Sequence, residues 1–306
     1  MSDQPSVLVI ANAAAGSASD DDVDLVLGVL REYAETEVVV PEDDDAMASA
    51  LGSAEGRDVV VMGGDGSFNW VLGTCVRNDL LDRIGVIGLV PMGTGNDFAR
   101  GMELPLDLRE AARVAVQGKP QDCDLLVDDD ENVVMNAVHA GIAAAATGNA
   151  ESFKGALGAG GYALGAFTAG MSTKGWELAV WVDGEEVLDE EHDALMVTVA
   201  VGGSVGGGTV VAPDAKATDR KADIVIATGL GSWDRLTFAA DLRRGQHIER
   251  DDVQVVQGTE VRIEAVGDDK DFVVNADGDL GERYRERTWT LRPRAYRCRS
   301  TDDELA

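Results

Sequence analysis

The sequence predicts an α/β domain built on a doubly wound parallel sheet, followed by a mainly antiparallel β-sandwich domain. Three observations predict it. Apolar runs and helical patterns alternate over residues 1–120, as they do in parallel sheets covered on both faces. Two glycine-rich segments each follow an apolar run and open a helical pattern, which is how a strand-to-helix turn meets a phosphate. From about residue 121, short β-rich runs separated by turn signals such as Val182-Asp183-Gly184 take over, the pattern of a sandwich. The expected domains are therefore 1–120, nucleotide-binding, and 121–306, the β-sandwich, with the C-terminal tail able to return to the first.

In the first domain strands are expected at 6–11, 36–40, 58–62 and 84–90, and helices at 21–33, 45–54, 67–77 and 106–117. The uncharged runs Val59-Val60-Val61-Met62 and Ile84-Gly85-Val86-Ile87-Gly88-Leu89-Val90 suit strands buried on both faces. In the second domain strands are expected at 122–127, 132–137, 176–182, 194–201, 222–228, 253–257, 259–265, 271–275 and 287–292, and helical patterns near 151–172 and 232–243. Gly155 to Thr173 is a stretch of 19 residues without formal charge. Its length approaches a membrane span, but Gly, Ala and Thr dominate it, so it reads as a helix packed between domains.

The two glycine-rich segments are Gly63-Gly64-Asp65-Gly66-Ser67-Phe68-Asn69 and Pro91-Met92-Gly93-Thr94-Gly95-Asn96-Asp97-Phe98-Ala99-Arg100. Glycine lets the backbone turn sharply and approach an anion. The helix start beyond offers unpaired N–H groups to it. Asp65 and Asp97 would repel a phosphate unless a cation stood between, so the pair suggests a nucleotide-phosphate cradle that also manages a metal or a water network. Asn12-Ala13-Ala14-Ala15-Gly16 falls at another strand end of the same kind.

The chain has 306 residues and a formal net charge of −30, with 36 Asp and 20 Glu against 20 Arg and six Lys. The carboxylates are spread among 45% hydrophobic residues, which excludes a disordered acidic tail. Clusters such as Asp20-Asp21-Asp22, Asp43-Asp44-Asp45 and Asp128-Asp129-Asp130 punctuate apolar segments as solvated loops do, and none has calcium-loop spacing. The composition points to a folded protein adapted to high salt, where a Debye length of about 3 Å screens self-repulsion. It argues against nucleic acid as a partner. Cys75, Cys123 and Cys298 are widely spaced, as reduced buried thiols are. His139, His192 and His247 share no metal-ligand spacing. No signal peptide is expected before Val7, which points to the cytoplasm.

Together the two segments resemble the diacylglycerol kinase catalytic family, which includes sphingosine kinases and small prokaryotic lipid kinases. The family's first motif is Gly-Gly-Asp-Gly-Thr, with Ser67 in place of the Thr. The second is close to Pro-Leu-Gly-Thr-x-Asn-Asp-Phe-Ala-Arg, with Met92 as the odd residue. The resemblance extends through Asn136-Ala137-Val138-His139-Ala140-Gly141 and, more weakly, beyond 200. It implies an NAD-kinase/diacylglycerol-kinase-like first domain and a β-sandwich that takes the lipid. The implied nucleotide site is Asn12, Gly16, Gly63, Gly64, Asp65, Gly66, Ser67, Asn69, Gly93, Thr94, Asn96 and Asp97, holding ATP. Mg²⁺ is implied at Asp65 and Asp97, directly or through water. Lys154 stands where the family has a basic residue that can face phosphate.

Asn275-Ala276-Asp277-Gly278-Asp279 resembles the family's Asp-Gly-Glu, whose glutamate is the base and whose aspartate supports it. That implies catalytic roles for Asp279 and Asp277, with Asp279 one methylene shorter than the family's residue. Without the resemblance, Asp-Gly between two apolar runs reads as a hairpin turn. Val211 to Arg220 resembles the family's Pro-x-Ala segment ending in Asp-Gly. By position it implies a structural metal at Asp219 with the carbonyls of Lys216 and Lys221, although Arg220 replaces the glycine. Further departures are the missing proline after Asn12, Pro41 for a threonine, and Gly202 for an asparagine.

The expected function is ATP-dependent phosphorylation of a lipid hydroxyl, diacylglycerol-like or an isoprenoid ether lipid, in an interdomain cleft. The expected partners are ATP and a lipid alcohol at the membrane surface, with no nucleic acid and a homodimer left open. The protein would act peripherally at the inner membrane face. The alternative is a nucleotide-binding regulatory or scaffold protein without catalysis, suggested by Pro41, Gly202, Arg220 and Asp279. The second alternative is a NAD-kinase-like enzyme. The motif around Asn96 and the lack of a Gly-Ser-Thr-Ala-Tyr-like segment count against it.

Overall fold

A computed structural model describes residues 4–12, 19–141, 175–189, 192–228, 231–267 and 270–301, with the backbone alone for 232–236 and 279–282. The chain divides into two compact units, Met1–Leu125 with Pro293–Ala306, and Leu126–Arg292.

In unit 1, strands β1 (Ser6–Ala11), β2 (Glu35–Val39), β3 (Asp58–Gly63) and β4 (Ile87–Pro91) pair in parallel in the order β2-β1-β3-β4. The helices are α1 (Asp20–Tyr33), α2 (Asp44–Ser53), α3 (Asp65–Arg77), α4 (Asp97–Gly101) and α5 (Leu108–Gln117). The core includes Val7, Val9, Val60, Met62 and Val90 from the sheet, and Val26, Leu30, Ala111 and Ala115 from α1 and α5. The expected strand at 84–90 starts later. Gly85 N–H donates to the Arg57 carbonyl at 2.7 Å and Val86 N–H to the Asp58 carboxylate at 2.8 Å, so this stretch is a turn fastened to β3.

The acidic clusters correct the solvated-loop reading. Ser19 and Asp22 form a reciprocal capping box at the start of α1, and Asp43 accepts the Ala46 N–H at 2.8 Å at the start of α2. Asp20–Asp22 and Asp44–Asp45 fill the first turns of these helices, where negative charge complements the helix dipole. Asp128 and Asp130 pair with Arg287 at 2.7 and 2.6 Å, and the Asp128 and Arg287 side chains are 8% and 6% exposed.

Unit 2 is a sandwich. β5 (Lys119–Asp128) leads into it, followed by β6 (Val133–Val134), β7 (Ala137–Gly141), β8 (Trp176–Val182), β9 (Glu185–Leu188) and β10 (Asp193–Ala200). After a small hairpin, β11 (Ser204–Val205) with β12 (Thr209–Val210), come β13 (Ala222–Thr228), α6 (Ser232–Leu242) and a 3₁₀ turn at His247–Glu249. β14 (Val253–Gly258), β15 (Glu260–Ala265), β16 (Phe272–Ala276), β17 (Asp279–Tyr284) and β18 (Glu286–Ser300) complete it, the last running on into unit 1. One layer pairs β17-β16-β7-β10-β13-β14 and the other β9-β8-β15-β18, all antiparallel. Between them lie Val138, Val199, Ile224 and Phe272 from one layer and Val180, Ile263, Trp289 and Leu291 from the other. On the outer face of the first layer, Ala137, Ala200, Val225 and Ala227 pack with Phe238, Ala239 and Leu242 of α6.

All three cysteines are free and buried. Cys123 and Cys298 meet on paired strands β5 and β18, and the neighbouring Cys298 with burial pushes the Cys123 thiol up. The uncharged 155–173 segment and Lys154 lie outside the described residues. Among the described residues no helix is long and apolar enough to cross a membrane.

Candidate active site

Parallel pairing brings the C-terminal ends of β1, β3 and β4 together. Asn12, just past β1, donates from Nδ2 to Ser67 Oγ at 2.9 Å. Gly63 ends β3, Gly64 precedes α3, and the Pro91–Asp97 loop joins β4 to α4. Gly16 lies outside the described residues.

The two glycine loops are built against each other. A Cβ on Gly64 would lie 2.8 Å from Gly93 Cα, and one on Gly93 2.5 Å from Gly64 Cα. These glycines serve backbone-to-backbone contact, not only approach to an anion. Asn96, in the left-handed conformation at φ 53°, closes its loop on itself. Its Oδ1 accepts the Gly93 N–H at 3.0 Å and its Nδ2 donates to the Gly93 carbonyl at 2.8 Å. Asp65 reaches across from α3, and its two oxygens accept the N–H groups of Asp97 and Phe98, each at 3.0 Å. Burial raises the Asp65 pKa, opposed by these N–H groups. Phe98 packs at a tilt against Phe68, 4.7 Å between ring centroids.

What remains open toward a ligand is narrower than the motif. Gly66 and Thr94 are exposed, and a Cβ on Gly66 would meet nothing within 4 Å. Helices α1, α2 and α5 are capped by Ser19, Asp43 and Asp107, and Asp65 caps α4. No side chain caps α3 at Gly64. Asn69 lies half-buried beyond the first turn of this 13-residue helix, whose uncapped start is of the kind that suits an anion.

In unit 2, Asp277 and Gly278 form the β16–β17 turn at φ 48° and 98°, so the hairpin reading of the sequence is correct. The Asp277 carboxylate accepts three successive N–H groups, from Met135 at 2.8 Å, Asn136 at 2.9 Å and Ala137 at 3.2 Å. Asp277 N–H donates to the Ala137 carbonyl at 3.0 Å. The carboxylate is thus a clamp that fixes the turn, and β17 starts directly after it at Asp279. Gly202, where the family usually has asparagine, has a local reason here. A Cβ would sit 2.9 Å from Asn136 Oδ1 and 3.0 Å from Asn136 Cα.

Around Asp219 the turn is closed by its own backbone. Asp219 is exposed and its Oδ1 accepts the Lys221 N–H at 3.1 Å, while the Lys216 carbonyl accepts the Asp219 N–H at 3.4 Å. Arg220 between them is left-handed at φ 66°, the conformation that a glycine would adopt freely. Lys221 Nζ donates to Gln257 Oε1 at 2.9 Å, and Gln257 Nε2 to Asp223 Oδ1 at 3.0 Å. Among the described residues no three His, Cys, Asp or Glu side chains are placed to hold a metal. Each Asp65 oxygen accepts one N–H, so a magnesium ion at Asp65 and Asp97, directly or through water, would draw on the lone pairs that remain. Sequence reasoning missed the clamp roles of Asp65 and Asp277. Their signal was a carboxylate beside glycine in a turn, which metal binding and N–H binding share.

Residues 6–127 match the family described as the diacylglycerol kinase catalytic domain, and residues 136–297 match the YegS C-terminal NAD kinase beta sandwich-like domain. The chain is 27% identical over 249 residues to a protein of Enterobacter sp. (strain 638) named probable lipid kinase YegS-like, covering 80% of this chain and 78% of that one. A Yersinia pestis (strain Pestoides F) protein of the same name is 30% identical over 166 residues, covering 53% of each chain. A crystal structure of a diacylglycerol kinase from Bacillus anthracis str. Sterne superposes with a TM-score of 0.72 at 17% identity, covering 100% of both chains. Another solved chain of that organism gives a TM-score of 0.78 at 18% identity, covering 98% of this chain and 96% of that one.

Proposed function

Because the chain belongs to the diacylglycerol kinase family with a YegS-type C-terminal domain, we propose that this lipid kinase moves the terminal phosphoryl group of ATP to a lipid hydroxyl. The observation that carries the proposal is the uncapped start of α3 at Gly64, in a unit whose other described helices are capped. Its N–H groups and dipole suit a polyphosphate. Asp65, Asn96, Gly64 and Gly93 hold the loops in the shape that leaves Gly66 and Thr94 open to it.

In the proposed reaction the acceptor oxygen bonds to the terminal phosphorus. The bond from that phosphorus to the bridging oxygen breaks, and its electron pair leaves with ADP. The hydroxyl proton passes to the Asp279 carboxylate, and Asp277 fixes the turn that carries Asp279. The α3 N–H groups stabilise the charge on the phosphate oxygens as it redistributes. The acceptor is a diacylglycerol-like alcohol or an isoprenoid ether lipid, met peripherally at the inner membrane face. High-salt adaptation belongs to the same proposal.

Transfer of labelled phosphate from ATP to a total lipid extract, in molar KCl, tests this. A labelled lipid product, lost in Asp279→Asn, is the expected result. ATP binding without transfer to any lipid fraction would overturn it in favour of a non-catalytic nucleotide-binding protein.

A further inference from the structure

Among the buried polar side-chain atoms that the described residues of unit 2 leave unsatisfied, two belong to strand neighbours. His139 of β7 pairs with Thr198 of β10 on one side and with Asn275 of β16 on the other. Side chains of directly paired residues project to one face, with Cβ atoms about 4.5–5.5 Å apart. Here the face is the outer one, since the flanking Val138, Ala140, Val197, Val199 and Val274 belong to the sandwich core. The three polar residues thus form one rung, with His139 3%, Thr198 0% and Asn275 6% exposed. His139 Nδ1 lies 2.8 Å from Thr198 Oγ1. His139 Nε2 and Asn275 Nδ2 have no hydrogen-bond partner among the described residues. Buried polar atoms left bare are costly and uncommon, so each one calls for an occupant.

The chemistry of the pair narrows that occupant. Burial keeps the ring neutral, with its pKa pushed down to about 4. A neutral imidazole presents Nε2 as an acceptor or as a donor, depending on which way the bond to Thr198 runs, whereas Asn275 Nδ2 only donates. A carbonyl or ether oxygen can only accept, and an ammonium can only donate. A hydroxyl does both, and satisfies the pair in either tautomer. Along the chain, Asn275 comes two residues before the clamped Asp277 and four before Asp279.

We propose that the Asn275–His139 rung binds a hydroxyl group of the lipid acceptor and positions it for transfer. This rests on the lipid-kinase reading above. The protein has three histidines, so their imidazole nitrogens can be followed singly by NMR in the whole chain. Titration with dioctanoylglycerol in detergent micelles should move the His139 Nε2 resonance and leave those of His192 and His247 in place. In kinetics, His139→Phe should raise the acceptor KM by about tenfold or more and leave the ATP KM unchanged, and His139→Gln should restore most of the loss. A His139 resonance unmoved at saturating dioctanoylglycerol would mean that the rung holds a trapped water only, and the proposal would fall. So would an unchanged acceptor KM in a folded His139→Phe. If the parent protein phosphorylates no lipid, the kinase reading fails by itself, and the resonance still decides the rung.

Discussion

The Asp277 carboxylate accepts the backbone N–H of Asn136 at 2.9 Å, across 141 positions of sequence. With the Met135 and Ala137 N–H groups beside it, this places Asp277 as a fastener of the turn, and the proposed function gives proton transfer to Asp279. Asp277→Asn should therefore cost about 1–3 kcal/mol of stability, because an amide replaces a charged acceptor of three N–H groups. Asp279→Asn should leave stability unchanged and lower kcat by about 10²–10⁴. Denaturant unfolding and single-turnover kinetics on both variants check the split. Equal stability loss in the two would contradict the division of roles.

Gly64 and Gly66 are two positions apart, yet their substitution should have opposite effects. Gly64→Ala drives a methyl into Gly93 and should destabilise unit 1 by about 1–3 kcal/mol. Gly66→Ala meets only open space and should leave the fold intact or gain up to about 1 kcal/mol from helix propensity. Its ATP affinity should still fall by about tenfold or more, since the methyl occupies the anion's approach. Melting curves and ATP titration calorimetry read the two effects separately.

His139 is neutral in the fold, with a pKa near 4 against an ordinary value of 6.5. Between those values the unfolded chain binds a proton that the folded chain refuses. Stability contributed by this group is complete above about pH 6.5 and is lost as pH falls toward 4, by about 3 kcal/mol in all. His247, also depressed by burial, adds to the same slope. His139→Gln should flatten most of it, as measured by the denaturant midpoint from pH 4 to 7.

Arg220 is left-handed at φ 66°. Arg220→Gly should raise stability by about 1 kcal/mol, the strain relieved exceeding the backbone entropy that glycine adds. EDTA should leave the melting temperature of the parent unchanged, because Asp219 and its neighbours are satisfied within the turn. A chelator-induced drop would support a metal at Asp219.

A net charge of −30 should make the fold salt-dependent. As KCl falls from molar to 0.1 M the Debye length grows from about 3 to about 10 Å and carboxylate repulsion spreads. Circular dichroism should show unfolding across that titration. A flat signal would remove the case for high-salt adaptation.

Much of this molecule was legible in its sequence because the signals are local. Periodicity placed β1 and β3 closely, and α1, α2 and α5 to within a residue or two, since burial on a sheet imposes them on each segment separately. The edge strand β17 was missed because Asp279–Tyr284 carries no strong alternation. Its pairing comes from β16 and the Asp277-Gly278 turn. The acidic clusters were misread as solvated loops because exposure and helix capping leave the same trace in a sequence.

By itself the sequence determined the two-part fold, the paired glycine-rich strand-to-helix loops and the family, all of which follow from short motifs and from the period of apolar residues. Tertiary structure alone decided what each motif residue does. Asp65 meets the Phe98 N–H, Gly64 meets Gly93, Asp277 meets Asn136, and His139 meets Thr198 and Asn275. These partners are 29 to 141 positions away from each other in the chain. A carboxylate or a glycine has the same local signature whether it faces a ligand, a metal or another backbone, and only the folded packing supplies the group that it faces.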